Sequence, residues 1–306
     1  MRMLVVGAGS TGGYFGGRLA QAGRDVTFLV RAARAAQLAE QGLQIVSPHG
    51  DFTLRPQLVT ADAISGPYDA ILLTVKAFSL ESALADMAPA VGDKTMILPV
   101  LNGMRHVDLL AKRFGKRTVV GCACKIAGSV DDQGRVVQQT LTQDIAYGEL
   151  DGKVSPRIQE LDRFMRDAGF DARLSSAIER EMWEKWILLA GLGGINCLMR
   201  GTIGEVAQAP RGSKFALAVL EEIVSVVRAV GVPPSSDFVA SAKSALTAKG
   251  SSLTSSMYRD LQRGVRVEAD QIMGDLVERA GAAGIKAPLL EAIYTHLCVY
   301  QNRLED

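Results

Sequence analysis

The stretch Met3-Leu-Val-Val-Gly-Ala-Gly-Ser-Thr-Gly12 decides the fold of the first half of the chain. Its apolar beginning predicts a short, fully buried strand, and the glycines that follow fit the pattern G-x-G-x-x-G. In this pattern Gly7 permits a tight turn and Gly9 lets the backbone approach a pyrophosphate closely. Gly12 lets the next helix pack tightly against the sheet.

The residues after this stretch complete a strand–helix–strand unit. A helix is predicted to about Ala22, and Asp25-Val-Thr-Phe-Leu-Val30 predicts a second strand. The helix N-terminus offers unpaired N–H groups and partial positive charge to phosphates. This context favours a dinucleotide site of the Rossmann type over a purely structural turn. The predicted cofactor-binding loop comprises Gly7, Ala8, Gly9, Ser10, Thr11 and Gly12.

The end of the second strand predicts which dinucleotide binds. An NAD site normally carries an acidic residue there, which accepts hydrogen bonds from the ribose hydroxyls. This chain has Arg31, which can instead pair with a 2′-phosphate through its planar guanidinium. We therefore predict NADP(H) rather than NAD(H). For Arg34, a few residues further on, a solvated helix charge is the favoured interpretation.

Further strands and helices alternate up to about residue 175. Apolar runs at 69–75 and 95–101 predict more parallel strands. The strand-like segments 118–124 and 135–141, joined by a turn at Asp131-Asp-Gln-Gly134, predict an antiparallel addition to that sheet. A helix over Pro156–Ala168 and an edge strand over Phe170–Leu174 follow. The predicted fold is an α/β, doubly wound, Rossmann-type domain over residues 1–175.

Beyond that point the strand signals stop and helical periodicity takes over. Residues 176–306 therefore predict an all-α C-terminal domain. The predicted helices cover 179–192, 215–230, 237–248, 266–283 and 288–304.

Composition narrows the classes of partner. The formal net charge is +1, which argues against a nucleic-acid or anionic-membrane partner. Four cysteines are too few for a disulfide framework, and Cys122 and Cys124 are expected to be buried free thiols on one strand face. The beginning Met1-Arg2-Met3 is unlike a signal peptide, and the longest apolar run is too short to span a bilayer. We expect a soluble, cytoplasmic protein without a metal site.

Several motifs together resemble the ketopantoate reductase family, the 2-dehydropantoate 2-reductases. The resemblance runs in the same order along nearly the whole chain. Its motifs are the glycine-rich loop, Arg31, Lys76 in Thr-Val-Lys-Ala, Asn102 in Leu-Asn-Gly-Met, Trp183-Glu-Lys185, Ser255-Ser-Met-Tyr-Arg-Asp260, and Glu268 with Asp270.

The resemblance implies hydride transfer from NADPH to the keto carbon of a 2-keto acid, 2-dehydropantoate in pantothenate biosynthesis. It implies that Lys185 is the general acid, which suits an ammonium facing a forming alkoxide. It implies that Glu268 orients the site and that Ser256 binds the substrate carboxylate. It also implies that Asn102 lies near nicotinamide and substrate, and that Lys76 contacts the cofactor. Without the resemblance, most of these residues would be interpreted as solvated charges, helix caps or turn residues.

One departure concerns the helix that carries the lysine. The family presents asparagines one and two turns after it, where this chain has Leu189 and Gly193. Asn196 lies close to three turns after Lys185, so it is a candidate substrate-binding residue in their place. The loss of two amides makes a bulkier or more apolar 2-keto acid an alternative substrate.

Two other functions remain open. A related two-domain dehydrogenase acting on a 3-hydroxy acid would share both halves, although the spacing from Ser256 to Glu268 favours the ketopantoate type. A non-catalytic NADP(H)-binding sensor would also fit a pocket without the two amides. The long helices of the second half make a homodimer a further expectation.

Overall fold

The protein is described by a computed structural model over residues 1–305, which divides into two compact units. The first unit comprises Met1–Leu101 and His106–Glu179. The second comprises Asn102–Arg105 and the chain from Arg180 onward. A short segment from the N-terminal half of the sequence therefore belongs to the helical unit.

The strands of the first unit form two sheets. In chain order they are β1 (Arg2–Val6), β2 (Asp25–Leu29), β3 (Leu43–Val46), β4 (Phe52–Leu54), β5 (Gln57–Val59), β6 (Ala70–Leu73), β7 (Met96–Pro99), β8 (Gly121–Val130), β9 (Val136–Gly148) and β10 (Asp171–Leu174). The first sheet has the order β5-β2-β1-β6-β7 and is parallel throughout. This confirms the predicted parallel sheet.

Helices in the first half are α1 (Ser10–Gln21), α2 (Ala32–Gln41), α3 (Leu80–Asp86), α4 (Arg105–Phe114) and α5 (Pro156–Met165). Alternate residues of β1 enter different cores, because successive side chains of a strand point to opposite faces. Met3 and Val5 pack in a cluster with Phe15 of α1, while Leu4 and Val6 pack with Leu84 of α3. Both faces of the parallel sheet are thus covered, as a doubly wound fold requires.

The second sheet corrects one prediction. The strands β8 and β9 do pair antiparallel around the turn at 131–134, but they do not extend the parallel sheet. They belong to a separate sheet of order β10-β9-β3-β4, with β8 on β9. The alternation of side chains that predicts β8 and β9 would be the same in either sheet. It therefore does not specify which neighbouring strand they pair with. An isolated bridge from Ile97 to Val119 links β7 to this region.

Over its described residues, the regular secondary structure of the second unit is helical. The helices are α6 (Ile178–Met199), α7 (Ile203–Gln208), α8 (Gly212–Val230), α9 (Ser236–Leu246), α10 (Ser256–Gln262), a π-helical turn (Asp270–Gly274), α11 (Asp275–Ala282) and α12 (Pro288–Glu305). The predicted order of an α/β half followed by an all-α half is confirmed. Helices α7 and α10 were not predicted; they begin at caps made by Thr202 and Ser255.

The helix predicted over 266–283 begins later than expected. Residues 265–268 are irregular, the π-helical turn follows, and regular α-helix starts only at Asp275. Glu268 therefore lies just before a helix, and its carbonyl accepts the backbone N–H of Ile272 at 3.1 Å. None of the helices among residues 1–305 has the length and apolar content that a bilayer crossing requires.

Candidate active site

The glycine-rich loop joins the buried strand β1 to helix α1. Gly7 has φ of +96°, a conformation that side chains rarely adopt. A Cβ on Gly12 would lie 2.2 Å from the carbonyl oxygen of Gly7 and 2.2 Å from Oγ1 of Thr74. Thr74 itself donates to the carbonyls of Val6 and Gly7, at 2.8 and 3.0 Å. Close packing of helix, loop and the residue after β6 thus requires glycine, and sequence analysis did not identify Thr74 as a supporting residue.

The N-terminus of α1 is open to an anion. Gly9 is its cap, and no side chain among the described residues caps this end. Gly9 is exposed, and a Cβ there would meet nothing within 4 Å. The space beside Gly9 is therefore open, so that a phosphate could approach the uncapped N-terminus of the helix. These features fit the pyrophosphate of a dinucleotide.

Basic side chains lie beyond neighbouring strands of the same sheet. Arg31 follows β2, is exposed, and donates through Nη2 to Oγ of Ser82 at 3.3 Å. Lys76 follows β6 and is also exposed. Because β2, β1 and β6 are parallel neighbours, their carboxyl ends lie at the same edge as the glycine-rich loop. Ligands of doubly wound sheets bind at that edge.

Lys185 lies in the second unit, on helix α6. It is partly buried, while Trp186 and Ile187 directly after it are buried in the helical core. Within the part of the chain that the structure describes, the Lys185 ammonium has no hydrogen bond or ion pair. An ammonium with uncommitted donors beside apolar neighbours can serve a ligand oxygen.

The structure brings together two of the predicted site residues, Asn102 and Glu268. Nδ2 of Asn102 lies 3.4 Å from Oε2 of Glu268. The carbonyl of Asn102 accepts a hydrogen bond from Nε2 of Gln271 at 2.9 Å. A Cβ on Gly103 would lie 2.7 Å from the carbonyl oxygen of Gln271, so glycine permits this close approach. Gln271 was missed in the sequence because nothing local distinguishes it from other helical glutamines.

The π-helical turn after Glu268 is held by the residue next to Lys185. The indole Nε1 of Trp186 donates to the carbonyl of Ile272 at 3.0 Å, in a buried position. A π-helical turn disturbs the regular i→i−4 pattern, and such turns often occur at functional sites. This bond ties helix α6, at the level of Lys185, to the segment that carries Glu268 and Gln271.

Asn196 has a different environment from the one expected for a substrate-binding residue. It is fully buried, its Nδ2 donates to the carbonyl of Gly201 at 2.8 Å, and its Oδ1 accepts the N–H of Ser255 at 2.9 Å. Ser255 in turn caps α10 by accepting the N–H of Tyr258 at 3.0 Å. The exposed Ser256 is the first residue of α10, so Asn196 fixes the backbone that presents Ser256.

The two positions without amides differ in their surroundings. Leu189 is partly buried, and Gly193 is buried. A Cβ on Gly193 would lie 2.7 Å from Cε of Met257, which follows Ser256 and is 3% exposed. Met257 therefore occupies the space that a side chain at position 193 would need, and an asparagine there would require the end of the Met257 side chain to move.

Other predicted features concern cysteines and metals. Cys122 and Cys124 are free and buried on β8, as predicted. Over residues 1–305, no group of three or more His, Cys, Asp or Glu side chains is arranged to hold a metal ion. The candidate groups described above are a lysine, an acid–amide pair and a glycine-rich loop at a helix N-terminus.

Comparison with known proteins identifies the family. The model "Ketopantoate reductase PanE/ApbA" matches residues 3–152, and "Ketopantoate reductase PanE/ApbA C terminal" matches residues 177–301. The chain belongs to the ketopantoate reductase family. It is an oxidoreductase of this family, in which a nicotinamide cofactor serves the reduction of 2-keto acids. The resemblance seen in the sequence is confirmed.

Individual relatives match over nearly their full length. The chain is 34% identical to an uncharacterized oxidoreductase of Bacillus subtilis, over 98% of this chain and 99% of the relative. It is 28% identical to a 2-dehydropantoate 2-reductase of Halobacterium salinarum, over 96% of each. A crystal structure of 2-dehydropantoate 2-reductase from Geobacter metallireducens has a TM-score of 0.86 and 28% identity, over 97% of this chain and 99% of that one.

Proposed function

We propose that this reductase uses NADPH to convert a 2-keto acid to the 2-hydroxy acid, with 2-dehydropantoate as the first candidate substrate and pantothenate biosynthesis as the setting. The observation that carries the proposal is the Lys185 ammonium, partly buried on an apolar helix and uncommitted among residues 1–305. A carbonyl that gains a hydride develops negative charge on oxygen, and a preorganised ammonium stabilises that charge.

Each candidate residue then has a defined task. When bound, the reduced nicotinamide supplies the hydride that the keto carbon accepts. Lys185 donates a hydrogen bond to the carbonyl oxygen and passes a proton from Nζ to it as the C–O double bond becomes single. Water returns a proton to the amine afterwards. Asn102 and Glu268 orient the substrate, and Ser256 binds its carboxylate.

The preference for NADPH rests on Arg31. Its guanidinium is exposed beyond β2, and Ser82 Oγ lies 3.3 Å away as a second polar group. A planar guanidinium donates paired hydrogen bonds to a 2′-phosphate, which the carboxylate of an NAD site cannot do. With Lys76 and the glycine-rich loop, Arg31 would complete the cofactor site in the first unit.

The proposal is tested by following NADPH oxidation at fixed pH with 2-dehydropantoate. We expect Lys185→Ala to lower kcat by roughly 10²–10³-fold while the Kd for NADPH is unchanged. Lys249→Ala is the matched control, because Lys249 is an exposed lysine of the same unit. Near-normal turnover in the Lys185 variant would exclude the assigned role. Tight NADPH binding without turnover on any 2-keto acid would favour the sensor.

A second candidate is a bulkier or more apolar 2-keto acid, and a specific contact favours it. Met257 occupies the space beside Gly193, and Leu189 presents a side chain without polar atoms. The Leu189 methyl groups of α6 and the Met257 thioether of α10 thus lie at the two positions where a polar substrate would need amides. Comparing kcat/KM for 2-dehydropantoate with values for branched and aromatic 2-keto acids decides between the two substrates.

Two further expectations concern the state of the protein in the cell. Helices such as α8 and α12 are long enough to pair between subunits, so we propose a homodimer, to be measured by sedimentation velocity. The cytoplasmic location expected from the sequence stays a prediction, as does the absence of nucleic-acid and membrane partners.

A further inference from the structure

The side chain of Arg34 lies against the glycine-rich loop. Arg34 is partly buried on α2, and its Nη2 donates to the carbonyl of Ala8 at 3.2 Å. Its Nη1 donates to Oε1 of Gln37 at 2.5 Å. The expectation of a solvated helix charge does not describe this position, because both ends of the guanidinium are engaged with protein oxygens.

The carbonyl that Arg34 holds determines the direction of a neighbouring donor. The carbonyl of Ala8 and the N–H of Gly9 belong to one planar trans peptide group, so they point in opposite directions. Gly9 has no side chain to restrict rotation of this peptide group, and a Cβ there would meet nothing within 4 Å. With its carbonyl bound to Arg34, the peptide directs the Gly9 N–H away from the guanidinium.

A turn of the second sheet supports Arg34 from the other side. The carbonyl of Gln133 accepts a hydrogen bond from Nε2 of Gln37 at 3.3 Å. Gly134 has φ of +80°, and a Cβ there would lie 2.8 Å from Nη1 of Arg34 and 2.1 Å from Nε2 of Gln37. The hairpin between β8 and β9 is thus seated on the two side chains.

The hairpin turn at 131–134 is held by hydrogen bonds to the carboxylate of Asp131. Oδ1 of Asp131 accepts the N–H groups of Gln133 and Arg135 at 3.1 and 2.8 Å, and its Oδ2 accepts from Nε of Arg135 at 2.7 Å. A chain of contacts therefore runs from the turn through Gln37 and Arg34 to Ala8.

We propose that Arg34 is a positioning residue, which fixes the Ala8–Gly9 peptide so that its N–H is ready for the pyrophosphate, with the 131–134 turn as its support. The inference rests on the proposed function only in assuming that the loop binds a dinucleotide. Arg34 acts on the part that NADPH and NADH share, whereas Arg31 acts on the 2′-phosphate that distinguishes them.

The first experiment needs no cofactor. Hydrogen exchange of the peptide covering residues 7–12 is compared among the wild type, Arg34→Met and Arg31→Met. Methionine keeps the length and apolar stem of arginine but removes its donors. We expect faster exchange of this peptide in Arg34→Met and in Gly134→Ala, and wild-type exchange in Arg31→Met. Equal exchange in Arg34→Met and the wild type would overturn the proposal.

The second experiment measures the Kd of NADPH and of NADH by fluorescence titration. Arg34→Met is expected to raise both by the same factor, about tenfold for the loss of one charge-assisted hydrogen bond. Arg31→Met should raise the Kd of NADPH alone. A change in the NADPH:NADH ratio in Arg34→Met would show direct contact with the 2′-phosphate and overturn the proposal. If hydrogen exchange responds as expected but the wild type binds neither dinucleotide, Arg34 does order the loop. In that case the proposed NADPH-dependent function is wrong.

Discussion

Asn102 and Glu268 are 166 positions apart in sequence, yet the amide nitrogen of one lies 3.4 Å from a carboxylate oxygen of the other. Gln271 holds the backbone carbonyl of Asn102 in place at 2.9 Å. The position of Asn102 relative to Glu268 therefore depends on Gln271, which does not itself have to touch the substrate. In this arrangement the segment 102–105 is positioned by the helical unit to which it belongs.

We predict that Gln271→Leu lowers kcat about tenfold while leaving the Kd for NADPH unchanged. Leucine fills the buried space but cannot donate to Asn102, so the amide loses its fixed position. In a double-mutant cycle with Asn102→Ala, the two losses in kcat/KM should be strongly non-additive. Gln262→Leu, at an exposed position of α10, is the control. Additive losses would show that Gln271 acts independently of Asn102.

Replacing Arg31 should change the choice of cofactor. In Arg31→Ala the preference for NADPH over NADH should fall by at least about tenfold, because an ion pair with the 2′-phosphate is lost. Arg31→Asp should go further and favour NADH, since a carboxylate accepts from the ribose hydroxyls and repels the phosphate. Steady-state kcat/KM for both cofactors measures the effect. An unchanged ratio in Arg31→Ala contradicts the assignment.

The size and polarity of the space beside Gly193 should determine which 2-keto acid is preferred. Gly193→Asn alone should lower the Tm, because its Cβ would lie 2.7 Å from Cε of Met257 and the buried methionine side chain would have to be displaced. Adding Met257→Ala makes room for the amide. We expect the double variant to raise kcat/KM for 2-dehydropantoate, relative to an apolar 2-keto acid, by about tenfold.

Met257→Ala by itself is the matched control for that substrate prediction. It enlarges the space without adding a polar group, so it should not favour 2-dehydropantoate. If Met257→Ala alone changed the substrate preference as much as the double variant, the added space and not the amide would determine that preference.

The two tryptophans of α6 should respond differently to loss of the indole N–H. Trp186→Phe leaves the buried carbonyl of Ile272 without its donor and should cost roughly 1–3 kcal/mol of unfolding free energy. In Trp183 the buried Nε1 has no hydrogen-bond partner among the described residues, so Trp183→Phe should cost less. Chemical denaturation measures both changes. A larger loss in Trp183→Phe would contradict the role given to the Trp186 bond.

The ion pair between Glu149 and Arg157 in the first unit should contribute to stability above acidic pH. Glu149 accepts from Arg157 at 2.7 and 2.5 Å and from Ser155 at 2.5 Å. Hydrogen bonding by the Arg157 guanidinium lowers the pKa of the Glu149 carboxyl below its usual range. The folded-state pKa is thus below that of the unfolded chain. The stabilisation is therefore present above the unfolded value of about 4.3 and is lost as pH falls through the folded one.

The corresponding measurement is the urea midpoint at pH values from about 7 down to about 3. Glu149→Gln should be less stable at neutral pH by roughly 1 kcal/mol, and the difference should shrink on acidification. Glu160→Gln, an exposed residue of α5, is the control. A difference that stays constant with pH would show that the loss is not electrostatic.

The sequence predicted the features that depend on local pattern. The glycine-rich loop was identified because turn, close approach and helix packing each require glycine within six residues. The switch from α/β to all-α followed from periodicity. The sheet to which β8 and β9 belong was mispredicted, because alternation of side chains defines a strand but does not specify its neighbours.

The candidate site was harder to predict where its bonds are long-range. Helical spacing placed Asn196 near the face of Lys185, but it could not show that Ser255 and Gly201 engage both groups of the amide. In the same way, nothing near Gln271 or Arg34 in sequence reveals the carbonyls that they hold. These contacts appear only when distant segments are brought together.

The segment Asn102–Arg105 also has a consequence for recombination between homologues. A chimaera joined at Glu179 would take this segment from one parent and its helical surroundings from the other. The carbonyl of Asn102 would then meet a foreign residue at position 271, and Arg105 would lose the carboxylate of its own Glu278, 2.9 Å away. Exchange of these four residues along with the C-terminal half should recover hybrids that a single crossover inactivates.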